Sequence, residues 1–184
     1  MVQAWFMNKD EEGDQREERQ CDPPRAVSLE DLKKLGVLYS YVAVDDNGKY
    51  REEGGDLHRI KEERGYNYED TITVAPDKLP GYEEKIKSFF EEHLHTDEEI
   101  RFILDGCGYF DVRNKDDEWI RIKVVKGDLL VLPAGIYHRF TTDKTNYICA
   151  NRLFVGEPVW KPHNRPADEM SARLEYLKAL STWA

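Results

Sequence analysis

The chain has 184 residues, 27 of them Lys or Arg and 37 Asp or Glu, giving a formal charge of -10 and an isoelectric point near 5.1. That length suffices for one domain whose core needs neither disulfides nor a structural metal, and the acidity disfavours nucleic-acid backbones and anionic lipid as partners. No stretch approaches the roughly twenty apolar residues of a membrane span, no apolar signal core opens the chain, and Cys21, Cys107 and Cys149 form no Cys-x-x-Cys pair, so a soluble protein of a reducing, intracellular compartment is expected.

Val2 to Met7 alternates enough for a short edge strand, and residues 8–25, charged and carrying Pro23 and Pro24, read as an exposed loop. Ser28 is a helix N-cap, followed by Leu29, Leu32 and Leu35 and stopped at Gly36. Residues 37–44 have strand character, 45–55 form a glycine-containing turn or loop, and 57–64 form a second helix ending at Gly65. A strand over 71–74 precedes Pro76 and Pro80, after which Tyr82, Ile86, Phe89 and Phe90 recur at helical spacing. This amphipathic helix leads straight into His93.

From Glu99 the period changes to two. Ile100, Phe102 and Leu104 share one face, while Glu99, Arg101 and Ile103 share the other, so the carboxylate and guanidinium face together. Gly106 and Gly108 mark a turn or bulge, and residues 109–113, 119–125 and 129–132 are three further short strands. Strand character at 140–141 and 147–155 completes a run typical of an antiparallel sandwich or barrel. Pro158, Pro162 and Pro166 make 156–166 an irregular crossing segment, and Met170, Leu174 and Leu177 form one apolar stripe of a terminal helix expected to pack on the barrel.

Two segments carry chemistry. Residues 91–101 contain His93 and His95, separated by one residue as a strand requires to aim two imidazoles at one point, with Glu99 in the same parity. The second runs from Gly127 through Pro133 and Gly135 to His138. Interior side chains of different strands converge in a barrel, so His93, His95, Glu99 and His138 are candidate ligands of one metal ion. Glu91, Glu92, Asp97 and Glu98 read as solvated charges.

These segments resemble the paired motifs of the cupin superfamily: His93, His95, Glu99 and Gly106 in the first, Gly127, Pro133, Gly135 and His138 in the second. Lys87 and Thr142 depart from the pattern, at positions that are not ligands. The resemblance is closer still to acireductone dioxygenases of methionine salvage, in their eukaryotic form. It rests on residues 89–101, 108–113, 132–140 and 152–160, on the opening Val2 to Trp5, and on Asn164 to Pro166. It weakens across 8–25 and 41–57, and His163 and Cys107 stand where tyrosine and serine are more usual.

The resemblance implies a mainly β fold with flanking helices, a cupin-type antiparallel β-barrel (double-stranded β-helix, or jelly roll). One domain over 1–184 is expected, with a core barrel at about 70–160, an N-terminal arm and helices over 1–69, and a C-terminal helix over 166–180. It also implies one Fe(2+) or Ni(2+) per chain, with Co(2+) or Mn(2+) able to substitute in vitro, held by His93, His95, Glu99 and His138. Three imidazoles and one carboxylate leave two octahedral positions for a substrate chelating through two oxygens. That substrate is acireductone, an ene-diol ketone with a methylthio tail, and the second substrate is O2. With iron the family's products are formate and the keto-acid precursor of methionine; with nickel or cobalt they are formate, carbon monoxide and methylthiopropanoate.

Arg101 is assigned to orienting the substrate and favouring its deprotonated form, against the simpler role of an ion pair with Glu99. Phe89 and Phe140 are candidate walls around the methylthio tail, against ordinary core packing. A monomer in the cytoplasm, with access to the nucleus, is expected; the sequence specifies no protein partner. Other cupin enzymes, an isomerase or a thiol dioxygenase, share the barrel and ligands but not the matches outside the two motifs. A cupin-fold interaction protein is the alternative outside catalysis.

Overall fold

Capping residues and the change of apolar period decide where the elements begin and end. In the computed structural model, which describes residues 2–10 and 12–183, the chain opens with strand β1 (Gln3–Phe6), helix α1 (Leu29–Lys34) and strand β2 (Leu38–Tyr41). The Ser28 hydroxyl accepts from the Asp31 amide at 3.0 Å and the Asp31 carboxylate accepts from the Ser28 amide. This reciprocal pair satisfies two amides that a helix start leaves without partners. Helix α2 (Asp56–Arg64) stops at the left-handed Gly65. Strand β3 (Tyr68–Val74), helix α3 (Tyr82–Phe90) and the two-residue strand β4 (His93–Leu94) follow. The stripe of Tyr82, Ile86 and Phe89 packs α3 against the core, as its spacing predicts.

The remaining strands are β5 (Glu99–Arg113), β6 (Trp119–Val125), β7 (Asp128–Leu132), β8 (His138–Thr142), β9 (Ile148–Phe154) and β10 (His163–Asn164), and helix α4 (Ser171–Trp183) ends the described chain. All pairings are antiparallel, and β5 takes part in both halves of the barrel. Its first part lies between β7 and β9, with β2 and β3 outside them; its last part lies between β6 and β8, with β1 at one edge and β4 and β10 at the other. The expected break at Gly106 and Gly108 is therefore a bulge within one strand. Register against β9 shifts between Ile103 and Asp105, and a bulge is how a strand bends from one sheet into another. Gly106, at φ 80°, is required there: a Cβ would lie 2.4 Å from the Tyr147 carbonyl oxygen.

The core sits between the two halves, with Ile120, Ile122 and Val124 of β6 facing Ile103, Leu130 and Ile148 among others. One expectation is sharpened and one corrected at its margins. The described residues of 8–25 form the expected exposed loop, and it is tied down: Met7 bridges Gln20, Trp5 bridges Ala26, and the Trp5 indole donates to the Glu18 carbonyl at 2.7 Å. Beneath them the fully buried Arg121, on the outer face of β6, donates to the Gln15 and Glu17 carbonyls and grips Asp111 at 2.7 and 2.8 Å. Arg139 shares the same carboxylate at 2.8 Å. The terminal helix also faces differently. Leu174 and Leu177 are exposed, whereas Tyr176 is buried and bonds the Leu35 carbonyl at 3.0 Å. Aromatic area outweighs two leucines in choosing which face is covered.

The crossing segment 156–166 is ordered by β10, which pairs with β4 and brings the Arg165 amide to the Glu92 carbonyl. Among the described residues no helix is long and apolar enough to cross a membrane.

Candidate metal centre

Helix α3 ends at the extended Glu91, so the chain turns directly into β4 with the His93 ring aimed inward. His93 stands opposite His138, the first residue of β8, and the two imidazole centroids are 4.5 Å apart. His95 lies just past the end of β4, its carbonyl accepting from the Gly135 amide at 3.0 Å. That bond ties the first motif to the turn of the second. Glu99 opens β5 and reaches the same point. One ligand atom from each of His93, His95, Glu99 and His138 lies within 4.8 Å of every other, the one such grouping among the described residues.

Each imidazole is oriented by its backbone. The His93, His95 and His138 Nδ1 atoms donate to the carbonyls of Glu91, Lys161 and Ile136 at 2.6, 3.1 and 2.9 Å. All three Nε2 lone pairs are thereby left facing the common point, which is the arrangement a metal ion requires of neutral imidazole. Burial, with His138 nearby, pushes the His93 imidazole down to about 4, so it stays neutral. Glu99 Oε2 lies 2.7 Å from His138 Nε2 and 3.3 Å from His95 Nε2, while Oε1 lies 3.3 Å from the Arg101 guanidinium. Burial alone would raise this carboxyl, but Arg101 and His138 outweigh it and hold it well below the usual range. The donor set therefore fits a divalent ion: three oriented imidazoles and one ionised carboxylate, all buried or nearly so.

The four ligands line a cavity of about 190 Å³. Arg101 lines it from β5, as the strand parity predicts, and its guanidinium also faces the Trp160 ring at 5.7 Å. Phe89 and Phe140 both line it too, their centroids 6.1 Å apart, with Phe110 at 4.9 Å from Phe140.

Two acidic neighbours of the ligands are not solvated charges, contrary to expectation. Glu92 accepts two hydrogen bonds from Arg113 at 2.9 and 3.0 Å and a third from Arg165 at 2.9 Å. Glu98 is bound by Arg64 and by the Tyr66 hydroxyl. Their partners come from other elements, which adjacency in sequence does not show.

Other cavity residues escaped the motif reading. Arg152 of β9 pairs with Asp70 of β3 at 2.7 and 2.6 Å and lies over Trp160 at 4.1 Å. Trp160 belongs to the crossing segment, whose next residue, Lys161, orients His95. An aromatic residue held between Pro158 and Pro162 was the available signal.

Against this geometry, the ARD/ARD' family model matches residues 3–162. Acireductone dioxygenase of Ixodes scapularis is 61% identical over 98% of this chain and 97% of its own, and that of Homo sapiens 58% identical over 100% of both. A solved structure described as acireductone dioxygenase from Bacillus anthracis with a cadmium ion in its active center superimposes with a TM-score of 0.69. It is 24% identical and covers 88% of this chain and 97% of that one, a likeness that speaks for the cupin-type fold. With the family model spanning most of its length and relatives sharing over half its residues from end to end, the chain belongs to the ARD/ARD' family of acireductone dioxygenases.

Proposed function

We propose that this chain, working as one cupin domain, cleaves acireductone with O2 in methionine salvage and holds Fe(2+) or Ni(2+) on His93, His95, Glu99 and His138. The observation that carries this reading is the placement of three oriented Nε2 atoms and a carboxylate together in the wall of a largely apolar cavity. A divalent ion held by these four residues would supply a Lewis-acid template for the oxygens of an ene-diol.

The chain's own groups do the rest. The three Nδ1 protons stay on backbone carbonyls, so each imidazole is fixed in one tautomer. Arg101, a fixed cation two residues from Glu99 on the same strand face, orients the substrate and favours its deprotonated oxygens. Phe89 and Phe140 receive the methylthio tail and exclude water from the reacting end. The iron-loaded protein yields formate and the keto-acid precursor of methionine; the nickel-loaded protein yields formate, carbon monoxide and methylthiopropanoate. It acts as a monomer in the cytoplasm, with access to the nucleus.

The test is to strip the protein of metal, reconstitute it separately with iron and nickel, and follow acireductone loss together with carbon monoxide. Consumption with both ions and carbon monoxide with nickel alone are expected. No consumption with either ion overturns the assignment.

A further inference from the structure

Three neighbouring strands, β3, β9 and β5, form one wall of the cavity, and their register sorts its lining into rows. Asp70, Arg152 and Arg101 are cross-strand neighbours, and one step further along the strands so are Ile72, Ala150 and Ile103. A step beyond, Val74 pairs with Ile148. Successive rows on one face are two residues apart, about 7 Å along a strand. The wall is therefore charged near the ligands and wholly apolar one row further along, and Phe110 and Phe140 line the cavity from β5 and β8.

Ala150 is the exception in the apolar row. It is central, paired on both sides, buried and in contact with the cavity, with an isoleucine on each side. Alanine is a poor residue for such a position, where β-branched side chains both favour the strand and fill the space. Strand formation does not explain it. The space it leaves does: a single methyl group between two isoleucines leaves a gap in the cavity wall, next to the charged row and in the cavity that the phenylalanines also line.

We infer that Ala150 is the residue that sets the tail accepted by this enzyme, admitting an ene-diol ketone with an unbranched apolar tail of about methylthioethyl size. The inference rests on the proposed reaction and adds to it the determinant of substrate size. Valine at 150 adds two carbons to the gap and narrows it, whereas glycine widens it.

The experiment compares three ene-diol ketones, with methyl, methylthioethyl and hexyl tails, on iron-loaded wild type, Ala150→Val and Ala150→Gly. Both kcat/KM in air and binding affinity without oxygen are measured. Misfit of one or two carbons in an apolar pocket is worth roughly ten- to hundredfold. Ala150→Val should raise the methyl-to-methylthioethyl ratio of kcat/KM by that factor, chiefly through KM, and Ala150→Gly should raise the hexyl-to-methylthioethyl ratio. Equal losses for all tails, or unchanged ratios in both variants, overturn the inference; if the valine variant fails to fold, the glycine variant decides alone. A wild type that binds ene-diols in this tail order but turns none over refutes the reaction and leaves the inference standing. One that binds none refutes both.

Discussion

Arg101→Met separates the two roles open to that guanidinium. It lies 3.3 Å from Glu99 Oε1, where Coulomb attraction at an effective dielectric near 20 is about 5 kcal/mol, most of it offset by the cost of burying both groups. A bound divalent ion supplies Glu99 with a second and larger positive charge, so the carboxylate remains ionised without Arg101. Metal affinity should then fall by no more than roughly ten- to hundredfold, as for other groups that orient a ligand. If the guanidinium also stabilises a developing enolate oxygen, turnover per bound metal should fall by roughly a hundred- to a thousandfold, the cost of removing one preorganised donor. Metal content by elemental analysis and kcat of the fully loaded variant read the two effects separately, and Arg101→Lys should recover part of the rate. An unchanged kcat per bound metal would falsify the substrate-facing role and leave Arg101 as the partner of Glu99 alone.

Two further outcomes follow from pairs outside the ligand set. Asp111→Asn leaves the buried Arg121 and Arg139 guanidiniums sharing a neutral acceptor, and breaking such a pair costs about 3–5 kcal/mol. At roughly 2–4 °C per kcal/mol for a chain of this size, Tm should drop by about 6–20 °C; a loss under about 1 kcal/mol in chemical denaturation contradicts the burial argument. The second concerns pH. Hydrogen bonds from Arg152 hold the Asp70 carboxyl below its ordinary 3.8, so its stabilisation is present above that value and is lost as pH falls through the lower folded-state value. The pair is partly exposed and should contribute less than about 1 kcal/mol. The Tm gap between wild type and Asp70→Asn should accordingly be full near neutral pH and close below about pH 4; a gap that persists unchanged in acid argues against the pair.

The ligands were legible because their signal is local. His93, His95 and Glu99 fall within seven residues, so β4, the short turn after it and the start of β5 deliver all three to one point, and the turn at Pro133 and Gly135 sets His138 at the head of β8. Asp70, Ala150 and Arg152 were not legible, because what they do depends on register between strands far apart in sequence, and a slip of one residue would turn each of them to the other face. Trp160 was not legible because it lies in the irregular segment after β9, whose path no local period sets. The same limit explains Glu92 and Glu98, whose arginine partners sit on other elements. It also explains helix α4, where periodicity favoured Leu174 and Leu177 but Tyr176 took the buried face.

Strand β5 joins the two parts of the site. It carries Glu99, Arg101 and Ile103 along one wall, bends at Gly106, and returns Phe110 to the same cavity from the other sheet. The charged and the apolar parts of the lining are thus joined by one continuous backbone, paired on both sides along both parts. Their separation depends on strand geometry rather than on loop packing. Among the described residues of 8–25 and 41–57, none lines the cavity. They are tied to the barrel through contacts such as Arg121 with the Gln15 carbonyl, so substitutions that break these contacts act on stability.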